Sequence, residues 1–325
     1  MKKLSILLLT LVSLFTMSCS NSDEAPEQQP EIPEEIVDDF KLLSVNSAGK
    51  IFEIGNNSGQ ITTVGQISTV ANLLQLSTIC QIDSKIYGLE SSYAPAPNIM
   101  IVYDKITGTT TSHQLVLPPS VSTVMNDPFI KNLEFDGSQL IAIVSENMPS
   151  SNHPVRVISI NPQNLQTTDL NISFFQRSLT STELIGNKLY ISTRTEGLLE
   201  LDLVSKTITE LQSGGNRING TRLAKLSNTK LGLMRFNVPN VVNGIKPFEF
   251  DLSTNLLSDK SAGNFFALGN VTGGTIFYNE YLNFVYDENA DFGILKINYS
   301  NNEKEFIEIS GNITGSSTLI LDIIE

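Results

Sequence analysis

The feature that most constrains this chain is a recurring punctuation: a short apolar strand ends on Asp or Asn and runs straight into a turn. Ile101-Val102-Tyr103 ends on Asp104, Val157-Ile158-Ser159-Ile160 on Asn161, and Leu199-Glu200-Leu201 on Asp202. Phe248-Glu249-Phe250 with Asp251 and Leu295-Lys296-Ile297 with Asn298 continue the series. Ile51-Phe52-Glu53-Ile54 begins it, with Gly55 in the polar slot. The six positions lie 49, 57, 41, 49 and 47 residues apart. Asp and Asn recur there because their short side chains accept hydrogen bonds from the backbone of the following turn. A shared turn therefore explains them without catalysis.

Residues 186–211 display the unit in full. Three runs rich in Leu, Ile, Thr and Tyr are separated by turns at Glu196-Gly197 and Ser205-Lys206, the pattern of an antiparallel meander. A further strand precedes each such set: residues 77–80, 130–135, 181–184, 221–226 and 275–277. Four strands per unit at this period predict an all-β, six-bladed β-propeller with four-stranded antiparallel blades. Residues 316–321 match the innermost strand of the other units but have nothing after them, while the first unit lacks such a strand. The C-terminal strand is therefore expected to close the circle inside blade one. The rival architecture, a pair of β-sandwiches, shares the short strands but not the circular closure.

Three segments follow from composition: residues 1–18, residues 19–39 and a propeller domain over residues 40–325. Lys2 and Lys3 precede a run at residues 4–15 that is too short to span a bilayer, the layout of a secretory signal. Thr16-Met17-Ser18-Cys19 resembles the lipobox of bacterial lipoproteins, in which cleavage exposes a cysteine that is then acylated; Thr16 departs from the usual aliphatic residue. The resemblance implies lipidation at Cys19 and anchoring to a membrane, at the outer membrane of a Gram-negative cell. A plain cleaved signal containing a cysteine is the alternative. Residues 20–39 hold eight carboxylates, three prolines and no basic residue, so they form an unfolded tether. Its Asp23-Glu24 pair resembles the surface-export tags of some lipoproteins, and an acidic spacer with no such role fits equally well.

The net charge of −13 divides unevenly: with Lys2 and Lys3 set aside, the tether carries −8 and residues 40–325 carry −7. With no basic run or basic-aromatic patch, a nucleic-acid partner is not expected. Cys80 has no second cysteine in the mature domain to pair with, and it falls on an expected innermost strand, where a small core residue is the simple reading.

The "strand, Asp, turn, Thr-Gly" pattern resembles that of a broad superfamily of bacterial propellers, periplasmic and surface lipoproteins among them. Its motifs are structural, so it implies fold rather than activity. His113 and His153 are the only histidines, which excludes a multi-histidine metal centre. No nucleophile elbow, zinc motif or phosphate loop occurs. Six-bladed lactonases hold a divalent metal around the central channel. The channel carboxylates expected here, Glu134 and Glu183, lack that family's sequence surroundings and are read as strand-end or channel-solvated carboxylates. A metal-dependent hydrolase at the channel mouth is kept as the second functional reading. Asp287, Asn289 and Asp291 place oxygen ligands at alternate positions, as calcium loops do, so calcium is the one cofactor suggested. Phe292 occupies the place of the loop glycine, and a polar hairpin tip yields the same residues.

Connection lengths carry the first functional expectation. In a propeller, turns between strands one and two and between three and four open on one face; the remaining connections open on the other. The first set is tight and the second long, and binding residues concentrate on long loops held by a rigid scaffold. The expected binding face gathers Tyr93, Asn152, His153, Arg194, Arg217, Asn240, Phe265 and Phe266. It would serve a membrane-tethered binding or assembly module, with a protein, small molecule or glycan as ligand.

Overall fold

Runs of β-branched, aromatic and leucine residues broken by Asx-type turns fold here as strands throughout. A computed structural model of the chain describes residues 36–69, 73–90, 98–146, 153–176, 179–193, 197–218, 220–235, 244–261, 266–267, 271–288, 291–309 and 318–325. Blade one holds β1 (Lys41–Asn46), β2 (Lys50–Gly55) and β3 (Ile61–Gln66). Blade two is β4 (Leu74–Ile82), β5 (Lys85–Glu90), β6 (Ile99–Asp104) and β7 (Thr109–Gln114). A single helical turn, α1 (Pro119–Ser122), leads to blade three: β8 (Pro128–Phe135), β9 (Leu140–Glu146), β10 (His153–Ile160) and β11 (Thr167–Gln176). Blade four runs β12 (Leu179–Ile185), β13 (Lys188–Thr193), β14 (Leu198–Asp202), β15 (Ile208–Ser213) and β16 (Asn216–Arg217). Blade five is β17 (Gly220–Ser227), β18 (Lys230–Arg235), β19 (Gly244–Asp251), β20 (Leu256–Asp259) and the two-residue β21 (Phe266–Ala267). Blade six is β22 (Val271–Tyr278), β23 (Tyr281–Glu288), β24 (Asp291–Asn298) and β25 (Lys304–Glu308); β26 (Thr318–Ile324) follows.

The six antiparallel sheets form a ring in which β26, β4, β8, β12, β17 and β22 are the innermost strands and neighbours in that order. The expected closure is present. β26 pairs antiparallel with β1, Val45 opposite Leu319 and Ser44 opposite Ile320, so blade one is built from both ends of the domain.

Between each pair of adjacent blades lies one apolar cluster, and single strands feed two of them. Along β9, Leu140, Ala142 and Val144 pack toward blade two while Ile141 and Ile143 pack toward blade four. β13 divides in the same way, Leu189 and Ile191 toward blade three and Tyr190 toward blade five. Alternate side chains point to opposite faces of a strand, so a strand buried on both faces must be apolar at every position. That is why the second strands read as unbroken runs such as Leu140-Ile141-Ala142-Ile143-Val144.

The turn chemistry read from the repeat is also present. Asp104 Oδ1 accepts from the backbone N–H of Ile106 (2.8 Å) and Thr107 (3.2 Å), and Asp202, Asp251 and Asn298 accept from the equivalent two positions of their own turns. The ordered domain also takes in Asp38 and Asp39, which composition assigns to the tether. Asp39 N–H and Phe40 N–H donate to Asn56 Oδ1, and Asp38 is bonded to the turn after Gly55.

A polar channel as candidate functional site

Register shifts mark the innermost strands against their neighbours. On β8 the shift falls between Ile130 and Asn132, on β12 between Leu179 and Ser181, and on β17 between Thr221 and Ala224. A bulge leaves residues unpaired and re-aims their side chains. Here it frees the inner strands to bond to one another around the axis. Gln75 Nε2 and Ser77 Oγ of blade two donate to Lys131 O of blade three at 3.1 and 2.7 Å. Leu223 N–H of blade five donates to Ser181 Oγ of blade four at 3.0 Å, and Thr275 Oγ1 of blade six donates to Arg222 O of blade five at 3.3 Å. Arg222 occupies the left-handed region at φ 54°, a conformation that this bulge imposes on a side chain other than glycine.

The strands enclose a cavity of about 1040 Å³. Glu134 and Glu183 both line it. Thr182 Oγ1, one residue before Glu183, donates to Glu134 Oε1 at 2.5 Å. Both residues are only partly exposed, and they sit so far inside the ring that much of the water around their carboxyls is replaced by protein. Burial raises the Glu134 carboxyl to about 7, against the opposing pull of the Thr182 bond. Burial also lifts Glu183 well above the carboxylate range; the negative charge of Glu134 adds to the rise, and the backbone N–H and charge of Lys225 oppose it. The channel and strand-end placement expected from the sequence is present; the burial of the two carboxyls by neighbouring blades is what the sequence reading lacked. Two adjacent carboxylates in a low-dielectric site do not both ionise readily, so the pair holds a proton near neutral pH.

Cys80 on β4 belongs to the same surroundings. Burial, with the Glu134 charge second, pushes its thiol up to about 12, so it stays protonated and unreactive as a nucleophile. Beside it, Gln81 Nε2 donates to Asp322 Oδ2 of β26 at 2.7 Å, tying blade two to blade one across the channel wall. Among the described residues, Gln81 Oε1 and Asn132 Oδ1 are buried acceptors without a hydrogen-bond partner, and Asn132 is only 3% exposed. Orphaned acceptors of this kind are uncommon in folded proteins and call for a partner.

The channel has two chemically different ends. Each innermost strand that opens a blade is entered from the long-connection face and left through a short turn. Glu134, Glu183, Gln81 and Asp322 lie toward the exit ends of their strands, and Asp83 sits in the exit turn of blade two. Arg222 lies near the entrance of β17.

The residues expected on the binding face are placed differently from one another. Arg217 is in β16, not in a loop, and its Nε is held by Glu210 Oε1 at 2.8 Å. His153 is the first residue of β10, paired with Gln176, and Phe266 pairs with Ile245 through β21. Tyr93, Asn152, Arg194, Asn240 and Phe265 lie outside the described residues, as does Cys19. Asp287 and Asp291 belong to the hairpin of β23 and β24, opposite Phe292 and Glu288 respectively, and Asn289 is outside the described residues. His113 is exposed on β7, where its Nε2 shares a 3.2 Å hydrogen bond with Thr111 Oγ1.

Sequence reasoning missed Asn132, Gln81 and Arg222. A usable signal was present. β8 alternates Asn132 and Glu134, and β12 carries Thr180, Ser181, Thr182 and Glu183, whereas the second strands beside them are almost wholly apolar. Polar residues concentrated on the first strand of successive units mark the wall of a channel.

No family model and no curated protein sequence matches this chain. Solved structures do. A chain in the crystal structure of a nidogen/laminin complex superposes with a TM-score of 0.56 at 10% identity, covering 88% of this chain and 98% of that one. TolB from Acinetobacter baumannii superposes with a TM-score of 0.55 at 12% identity, covering 86% of this chain but 65% of the TolB chain. At such identities the likeness is one of fold: the protein is a six-bladed β-propeller.

Proposed function

We propose that this protein is a binding module of the bacterial cell envelope, lipid-anchored through Cys19, whose channel and overlying long-connection face take up a partner. The observation that carries the reading is the built cavity: about 1040 Å³, walled by all six blades and lined by polar residues among which are Ser77, Asp83, Glu134, Thr182, Glu183 and Asp322. Cavities of this size with a few convergent polar groups are typical of small-ligand sites. Connection lengths support the face in some blades only: β5 ends at Glu90 and β6 begins at Ile99, and β7 ends at Gln114 and β8 begins at Pro128, whereas the connections from β1 to β2, β11 to β12 and β23 to β24 on the same face are two or three residues long, contrary to the sequence expectation that this whole set is long. The opposite turns span residues 83–84, 186–187 and 228–229.

The second reading, a metal-dependent hydrolase, needs a donor set. Among the described residues no three His, Cys, Asp or Glu side chains group as one. The envelope location rests on the signal-like N-terminus. Among the described residues no helix is long and apolar enough to cross a membrane.

A photo-crosslinking residue placed at Arg217, on the long-connection face, tests the reading against one placed at Asn187, in a tight turn. Adducts formed in intact cells from position 217 and not from 187 are the expected result. Adducts from 187 alone would put the partner on the other face.

A further inference from the structure

We infer that the domain is held with its short-turn face toward the anchoring membrane, so that the long-connection face and the channel mouth within it open away from the lipid. The inference rests on the lipid-anchored reading above and adds the direction from which a partner must come.

It follows from where the chain enters the ring. The earliest contact among the described residues is at Val37, whose carbonyl oxygen accepts from Asn57 Nδ2 at 3.0 Å. Asp38 and Asp39 bond to the same turn, residues 56–58, which joins β2 to β3 on the short-turn face. Phe40 then packs edge-on against Tyr278, with ring centroids 4.9 Å apart. Tyr278 is the last residue of β22, at its exit end, so this contact lies on the same face, where blade six meets blade one. β1 starts there at Lys41, opposite both Ile324 of β26 and Gly55 of β2. The Tyr278 hydroxyl donates to Glu325, so the strand that closes the ring also leaves on this face.

The point of attachment decides which face lies near the lipid. By composition residues 20–36 are an unfolded tether, and a coil of that length spans about 20–25 Å. β1 is six residues long, which makes the blade about 20 Å high from one face to the other. To lay the long-connection face on the membrane, the tether would have to climb that height and also round the outer strands, a path beyond its relaxed span. Laying the short-turn face there stretches nothing. With −8 on the tether and −7 on residues 40–325, no overall attraction to an anionic leaflet competes with this bias. The partner proposed above is therefore met from the aqueous side of the anchored domain. Molecules embedded in the anchoring leaflet face the short turns instead.

Energy transfer to lipid headgroups tests this on the full-length lipidated protein, in vesicles of phosphatidylethanolamine and phosphatidylglycerol that carry a rhodamine-headgroup lipid. Donor dyes are attached through Asn187→Cys or Arg217→Cys. Both positions are exposed and both belong to blade four, across the ring from blade one, so they differ chiefly in height above the membrane. A protein with neither substitution corrects for labelling at Cys80, whose thiol burial pushes up to about 12. Transfer from position 187 should be at least about twofold that from position 217, the two faces being about 20 Å apart. Deleting residues 21–30 should raise transfer at 187 and widen the gap, because a shorter tether draws in the face from which it starts. Equal transfer from the two positions, or more from 217, in protein that floats with the vesicles overturns the orientation and leaves the anchor standing. Protein that does not float overturns the anchor and this inference with it, while crosslinks at position 217 would still support the binding face.

Discussion

Asp38 does for Gly55 what no side chain at position 55 does for itself. In four of the other blades an Asp or Asn at the end of the third strand caps the backbone two and three residues on. In blade one, Asp38 Oδ1 accepts from those same positions, Asn57 N–H and Ser58 N–H, at 2.8 Å each, and its Oδ2 accepts from Ser58 Oγ at 2.7 Å. A Cβ on Gly55 would run into the Asp38 carboxylate, so the glycine is the space that the visiting carboxylate occupies.

This arrangement predicts strong coupling between the two positions. Asp38→Ala should cost roughly 1–2 kcal/mol, as loss of a charged cap does. Gly55→Asp in the wild-type background should also destabilise, because two carboxylates then compete for one turn. The double variant should be more stable than the two single effects add up to, since the carboxylate introduced at position 55 could cap its own turn as Asp104 does. Thermal melts of the four proteins check this, and additive losses would contradict it.

Asp38 further predicts behaviour in acid. Burial works against its charge, yet the bonds from Ser58 and Asn57, with Lys41 nearby, hold its carboxyl below the ordinary value of 3.8. A depressed carboxyl contributes stability above its unfolded-state value and loses it as the pH falls through the folded one. The destabilisation by Asp38→Ala should accordingly be full at pH 6 and shrink as the pH drops below about 4.

Glu134 predicts the opposite slope. Its folded carboxyl titrates near 7 against an ordinary 4.5, so between those values the folded protein binds more protons than the unfolded chain and stability falls as pH rises. Glu134→Gln should flatten that slope and stabilise the protein at pH 8, by up to about 3 kcal/mol. Denaturant melts at pH 5 and pH 8 would show it; an unchanged pH dependence would mean that the carboxyl is solvated after all.

Closure predicts the effect of truncation. Removing β26 strips β1 of its inner partner and takes Ile320 from the cluster between blades six and one. Both flanks of the gap would then expose strand edges. A chain stopped before Thr318 should lose its single cooperative transition, and a wild-type melt would count against a ring that depends on this strand.

The anchor yields a separate expectation. Cys19→Ala should release the protein from the membrane fraction, because residues 4–15 are too few to hold it there. Radiolabelled fatty acid incorporation, present in the wild type and absent in the variant, checks the chemistry directly.

What was legible in the sequence was whatever repeats. Asp104, Asn161, Asp202, Asp251 and Asn298 announce the period because each acts within its own turn, and the orphan strand at the C-terminus announces closure because the first unit lacks one. What departs from the repeat was not legible. Asp38 acts on a turn 20 residues away and looks like one more acidic residue of a tether. Glu134 and Glu183 looked solvated because their burial comes from neighbouring blades, not from neighbouring residues. Arg217 and His153 looked like loop residues because β16 and β10 extend pairing into stretches rich in turn formers.

The pairing of Val45 with Leu319 also sets a timetable. Three strands of blade one are made first and must wait, with β1 bare along one edge, until nearly all the remaining blades have followed. A ring latched this way cannot fold one blade at a time to completion; its first sheet is finished last. That interval is when the chain is most exposed to mispairing, and a chaperone acting on the nascent domain would find its binding site on the waiting edge of β1.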